Sequence, residues 1–324
     1  MRFVLSTEQA QFAAALRESL ADADTPAAAR AWATGDPAPG LAVWKRLAGL
    51  GVTALAVPES AGGLGAHPVD VVVAFEALGR AAMPGPVIES LAVAPALLAG
   101  TGTGAEWLAG LASGELLASV AAPPHVPLAL DADVAGLVLE LTGGAVRTAE
   151  VADPVESIDP ARRLFRVRPA RSLVEHAPAA VARAFDLGVL ACAAQLVGAG
   201  EGLLAAAVSH ARTREQFGRP IGEFQAVAHR LADVLVGLET ARPLVHAAAL
   251  AWADDSPTAV RDVSAAKVAA GRAGYRAARA ALQVHGALGY TREHDVSLWL
   301  PKVRALDSAW GTPAVHRARL RAAL

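Results

Sequence analysis

From about residue 178 to residue 286 the chain carries three long helix-compatible stretches broken only at two corners, and this limits the fold more than any other feature. Each stretch exceeds the usual length of a globular helix, and consecutive long helices with apolar stripes bury those stripes against one another as a bundle. In the second stretch Phe224, Val227, Ala228, Leu231, Leu235 and Leu238 recur on one stripe, with Arg230, Asp233 and Glu239 elsewhere. The third is expected to start at Ser256-Pro257, an N-cap followed by a first-turn proline, and to stop at Gly286. Composition agrees: 79 alanines favour helix, and 5% aromatics is low for a sheet protein.

The first 115 residues read as shorter helices joined by Gly/Pro turns, at roughly 7–22, 41–50, 68–81, 87–99 and 104–112. Within the third, Val71, Phe75, Leu78 and Ala82 repeat at helical intervals, with Glu76 and Arg80 opposite. The period changes after Gly114. Leu137 to Leu141, then Gly143-Gly144 and Val146, reads as a hairpin, and Phe165 and Val167 alternate with Arg166 and Arg168 as in a half-buried strand. The expected protein is mainly α with a small β domain: helices over 1–115, a β segment over 116–175 and a helical bundle over 176–324.

With 29 basic and 31 acidic residues the net charge is -2, which excludes a polycationic nucleic-acid binder, and 54% hydrophobic residues exclude a disordered chain. The single cysteine, Cys192, forbids an internal disulfide and a multi-thiolate metal site, and its apolar setting marks a buried inert thiol. No two of the nine histidines stand four residues apart, so no helical metal pair is expected. The start, with Arg2 and Glu8, lacks a signal-peptide core, and stretches such as Ser90 to Ala105 and Leu187 to Gly200 are too short for a membrane span. The expectation is a soluble cytoplasmic protein. Two glycine clusters, at 100, 102 and 104 and at 198, 200 and 202, follow no strand and are read as turns or close helix contacts rather than nucleotide loops.

The two corners of the bundle carry the informative polar residues. Arg214-Glu215-Gln216-Phe217-Gly218-Arg219-Pro220 places an aromatic and a glycine between arginines, and Gln283-Val284-His285-Gly286-Ala287-Leu288-Gly289-Tyr290 ends the third long helix with glycines. Two readings fit: solvated helix–turn–helix corners, or a docking place for an anionic cofactor.

The stretches 211–234 (ARTREQFGRPIGEFQAVAHRLADV) and 283–295 (QVHGALGYTREHD) resemble the two signature regions of the acyl-CoA dehydrogenase family. PESAGGLG (58–65) and EALGR (76–80) resemble its N-terminal motifs, so the likeness runs in order along nearly the whole chain. The resemblance implies an N-terminal helical domain, a middle β domain and a C-terminal four-helix bundle. It also implies FAD-dependent α,β-dehydrogenation of an acyl-CoA thioester, with a glutamate taking the α-proton and flavin the β-hydride. By the same resemblance Arg214, Phe217 and Gln225 touch the ADP half of FAD, and Gln283 with the Gly286-Ala287 backbone lines its pyrophosphate, the flavin being held mainly by a neighbouring subunit.

The chain departs from that pattern where the chemistry is done. The family's base falls on Trp310 in Ala309-Trp310-Gly311-Thr312, and the alternative position on the first long bundle helix falls on Gly188. Neither side chain accepts a proton, and loss of a general base costs about 10²–10⁴ in rate. The flavin-facing hydroxyl segment reads Val120-Ala121-Ala122-Pro123, without the hydroxyl, and the β segment is shorter than usual. The chain therefore resembles the short, base-less subunit of bacterial α2β2 acyl-CoA dehydrogenases acting on steroid side chains, paired with a glutamate-bearing paralogue. Two other readings stand beside it: a self-sufficient enzyme with a relocated carboxylate such as Asp186, Glu201, Glu293 or Asp307, and a flavin-free structural protein.

Overall fold

The computed structural model describes residues 4–323; residues 1–3 and 324, which include Arg2 and the outer limits of the first and last expected segments, lie outside the described residues. Six helices come first: α1 (Thr7–Ala21), α2 (Thr25–Ala33), α3 (Ala38–Gly49), α4 (Pro68–Arg80), α5 (Ala94–Thr101) and α6 (Ala105–Ser113). A capping box starts α1, with Ser6 Oγ accepting the Gln9 N–H and Gln9 Oε1 accepting the Ser6 N–H. α2 adds to the five expected helices. Its buried face is Ala28, Ala29 and Trp32, and two alanines make no visible stripe in an alanine-rich sequence. A single π turn, Glu89–Val93, leads into α5.

The β segment forms one five-stranded sheet of β1 (Ala118–Ala121), β2 (Ala129–Leu130), β3 (Leu137–Thr142), β4 (Ala145–Val155) and β5 (Leu164–Val174), in the order β1-β3-β4-β5-β2. β1 and β3 are parallel and the other pairs antiparallel. The expected hairpin is β3–β4, with Leu141 opposite Val146 and a turn of Gly143 and Gly144 at φ +61° and +87°, the left-handed pair that a two-residue turn needs. Ser119 Oγ donates to Leu130 O at 2.6 Å, so the two ends of the strand order meet. Phe165 and Val167 cover a small core of Ala121, Ala129, Ala132 and Val138.

The bundle follows: α7 (Pro178–Thr213), a two-residue ribbon of β6 (Glu215–Gln216) and β7 (Arg219–Pro220), α8 (Gln225–Ala253), α9 (Ala259–His285), α10 (Val296–Ser308) and α11 (Pro313–Ala322). α7 packs against α8, α9 and α10, and against α4 from the first segment. By length and composition α7 and α8 are long enough to cross a bilayer, but the most apolar window of α7 is 72% buried among the other helices. α9 starts two residues later than expected, because Ser256 Oγ accepts the Thr258 N–H inside the preceding turn.

The expected stripe on α8 is corrected in part. Leu231, Val234, Leu238, Ala241 and Val245 are buried, whereas Leu235 is 49% exposed and Ala228 also faces out. This helix has apolar residues on two faces, and α7 and α9 cover only one of them. Val236 stays open along a groove that α8 forms with α9, and Leu235 along another that α8 forms with α7.

The second glycine cluster makes the close helix contacts. A Cβ on Gly198 would lie 1.9 Å from Glu76 O, and one on Gly79 would lie 2.2 Å from Gln195 O, so α4 and α7 cross backbone to backbone. Beside that crossing Glu76 joins the helices by charge, accepting Arg242 Nε at 3.1 Å and lying 3.0 Å from His246 Nε2. The first cluster makes turns, with Gly102 and Gly104 at φ +65° and +72°. Gly198→Ala is expected to cost roughly 3 kcal/mol, because a carbonyl on rigid backbone must give way. Gly237→Ala, which meets nothing within 4 Å on α8, should instead gain up to about 1 kcal/mol. Urea unfolding of the two variants measures the contrast.

Candidate functional site

The first corner of the bundle is built to expose its aromatic. After α7 ends at Thr213 the chain turns through the β6–β7 ribbon, whose two tip residues, Phe217 and Gly218, lie at φ +54° and +78°. A phenylalanine in the left-handed region is costly, and this one is 92% exposed, so packing within the chain does not repay the strain. Its ring meets Phe224 edge-on at 6.1 Å, and Arg219 lies over the other aromatic, 4.2 Å from the Phe224 centroid.

The second corner comes to the same place. Phe217, Phe224, Arg230 and Gln283 line one open cavity of about 370 Å³. The structure thus brings together Phe217 and Gln283, which lie on different corners of the sequence. Arg214, at the end of α7, and Gln225, the first residue of α8, are exposed on the elements that frame this cavity without lining it. Gly286 and Ala287 are exposed just beyond α9, where Gly286 ends the helix at φ +59°. An exposed aromatic face, an exposed amide and the guanidinium groups of Arg214 and Arg230 form a donor set that suits an aromatic ring carrying phosphates.

At the opposite end of α7 stand the two positions where the resemblance expects a glutamate, and they touch. A Cβ on Gly188 would sit 2.6 Å from the Trp310 ring, so the indole occupies the space that any larger residue at 188 would need. Trp310 is buried, with φ +57°, and its ring tilts against Phe185 at 5.8 Å. The turn that carries it is held from three sides. Lys267 Nζ donates to Leu306 O and Asp307 O at 2.9 Å each, capping the end of α10. Cys192 Sγ donates to Leu306 O at 3.3 Å, a structural role that agrees with an inert thiol. His316 donates Nε2–H to Trp310 O at 2.9 Å and receives Ser264 Oγ at Nδ1, and burial pushes this imidazole down to about 4, so it is neutral.

Three of the four carboxylates weighed as relocated bases are engaged elsewhere. Asp186 accepts Arg319 Nη2 at 2.5 Å, Glu201 pairs with Arg242, and Asp307 Oδ2 lies 3.5 Å from Arg304. Glu293 is exposed. The buried acid that shares a cavity with Trp310 is Glu89, which the sequence reading passed over. The signal was its isolation: Glu89 is the single charged residue between Arg80 and Glu106. It opens the π turn, is 1% exposed, and burial raises its carboxyl to about 7 against the pull of Arg162.

Two family descriptions match this chain: "Acyl-CoA dehydrogenase, N-terminal domain" over residues 6–115 and "Acyl-CoA dehydrogenase, C-terminal domain" over residues 179–324. Over 298 residues the chain is 34% identical to the acyl-CoA dehydrogenase IpdE2 of Mycobacterium tuberculosis, spanning 91% of this chain and 90% of that one. Its fold is similar to the ChsE4–ChsE5 complex from Mycobacterium tuberculosis, with TM-score 0.85 and 24% identity over 99% of this chain and 98% of that one. A variant of the Tcur3481–Tcur3483 steroid ACAD gives TM-score 0.84 at 23% identity over 98% and 97%.

The state of Glu89 has a consequence for stability. The unfolded chain releases this proton near 4.5 and the folded chain holds it to about 7, so the folded state binds more protons in that window and loses stability as pH rises through it. Glu89→Gln removes the cost. It is expected to raise the thermal midpoint at pH 8 relative to the parent by more than it does at pH 5, as read by circular dichroism melts at the two pH values.

Proposed function

The chain belongs to the acyl-CoA dehydrogenase family, and from that premise we propose that it is a non-catalytic subunit which completes the FAD site of a glutamate-bearing paralogue in an α2β2 complex acting on an acyl-CoA thioester. The observation that carries this reading is the Trp310 ring packed on Gly188, which fills both places for a base with groups that cannot take a proton. The corner cavity at the other end of α7 remains open and presents side chains outward. A chain that offers contacts to a cofactor while lacking its own base has a use beside a partner that holds the complementary half.

When bound in that complex, FAD would supply the acceptor for the β-hydride. This chain's own work would be positional: Phe217, Arg214 and Gln225 would hold the ADP half, and Gln283 with the Gly286-Ala287 backbone would hold the pyrophosphate. The partner's glutamate takes the α-proton. Support for a heteromer comes from the fold likeness to ChsE4–ChsE5 and Tcur3481–Tcur3483, each a pair of chains. The reduced thiol of Cys192 suits the cytoplasm. The relocated-base reading is disfavoured by the pairing of Asp186 with Arg319 and of Glu201 with Arg242.

Co-expression with the glutamate-bearing paralogue should give a yellow complex, whereas this chain alone should show activity about 10²–10⁴ below the complex. Arg214→Ala and Gln283→Ala should each lower the flavin-to-protein ratio of the purified complex without dissociating it. Full activity of the lone chain, or a complex whose 450 nm absorbance ignores both substitutions, overturns the proposal.

A further inference from the structure

Three imidazoles from three separate parts of the chain meet at the second corner of the bundle. His210, in the last turn of α7, stacks on His285, the last residue of α9, with ring centroids 4.4 Å apart. His285 in turn meets His294, in the turn before α10, edge to face at 4.7 Å. His285 and His294 bracket the Gly286–Tyr290 turn, so both ends of that segment are tied into one stack. Among the described residues no three side chains are set to hold a metal, and stacked rings do not converge their nitrogens on one point.

The contacts as they stand need neutral rings. His285 donates Nδ1–H to Ala281 O at 2.8 Å, and His294 Nδ1 accepts the Val296 N–H at 3.2 Å where α10 begins. A proton on His294 Nδ1 would set donor against donor, and protons on adjacent rings would set like charges in contact. The surroundings press the same way. Burial holds His210 below the usual imidazole range, and His285, His294 and Arg214 push it further down. Burial lowers His285 too, as does His294, against the pull of Ala281 O. Beside His294 in sequence, Arg292, Glu293 and Asp295 are exposed, and Asp295 pairs with Arg30 of α2 at 2.7 Å.

We propose that the His210–His285–His294 stack is an acid-released latch, which holds the Gly286–Tyr290 turn to the end of α7 while its rings are neutral and frees it when they are charged. The unfolded chain takes up these protons near 6.5 and the folded chain only lower, so the latch weakens as pH falls through that region. Arg214 lies one turn beyond His210, and Gly286 follows His285, so release would loosen both flanks of the proposed cofactor dock. The stack itself needs neither flavin nor partner, and its test is independent of the subunit role.

Hydrogen exchange of the full chain, read by mass spectrometry as protection relative to intrinsic rates, follows residues 286–293 from pH 7.5 to pH 5. Their protection is expected to fall about tenfold, while that of α7 around Gly198 stays within about twofold. In His210→Phe, which keeps a flat ring but takes no proton, the fall should shrink to about twofold. A fall in that variant equal to the parent's overturns the latch. So does a parent segment that ignores pH, or one that opens in step with the Gly198 region. If His210→Phe does not fold, imidazole NMR of the parent decides: a protection midpoint more than about one pH unit from the titrations of both His210 and His285 overturns the latch, and coincidence with either supports it.

Discussion

Helix α7 lacks a side chain at four places where another part of the chain comes close, and much of the molecule is arranged around that. Gly198 lets α4 lie on it backbone to backbone, Gly200 admits Leu238 of α8, and Gly202 admits Trp299 of α10. Gly188 admits Trp310. Dense packing tolerates no atoms added at such contacts, so one helix fixes the seat of the first segment and the shape of the space beneath α10. The same helix ends in the ribbon that holds Phe217 out. The closed end and the open end of the candidate site are therefore two ends of one rigid rod.

The parts legible in the sequence were those with a period or a punctuation mark. The spacing of Val71, Phe75 and Leu78 placed α4, Gly143-Gly144 placed the β3–β4 turn, and Gly286 closed α9. α2 went unread because its buried face is mostly alanine. On α8 the apolar residues make more than one possible stripe, and only the positions of α7 and α9 decide which is inside. For the site, the sequence showed that neither family position carries a glutamate. It did not show that Gly188 and Trp310 touch, since residues so far apart in the chain leave no local trace of their contact. Glu89 had no motif at all, only the absence of other charges around it.

The two ends of α7 also differ in how they treat polar groups. At the corner, Arg214, Gln225 and Gln283 stand in solvent, where they bear no desolvation cost and hold no fixed partner. Beneath α10 the polar groups are sunk and mostly matched: Lys267 on two carbonyls, His316 between Trp310 O and Ser264. A rigid, satisfied framework around an indole is what keeps that ring in place, and loosely solvated side chains are what a surface offers to something that has yet to arrive.

The chain holds only three lysines, and the fold uses two of them internally: Lys267 caps α10, and Lys302 is buried 3.5 Å from Asp159, while Lys45 faces solvent. Its abundant arginines carry the surface positive charge without offering a primary amine. Acylating reagents, amine cross-linkers and lysine-directed modifying enzymes therefore find one side chain to act on, at position 45, and a second site of labelling at 267 or 302 would report that the helical packing has opened.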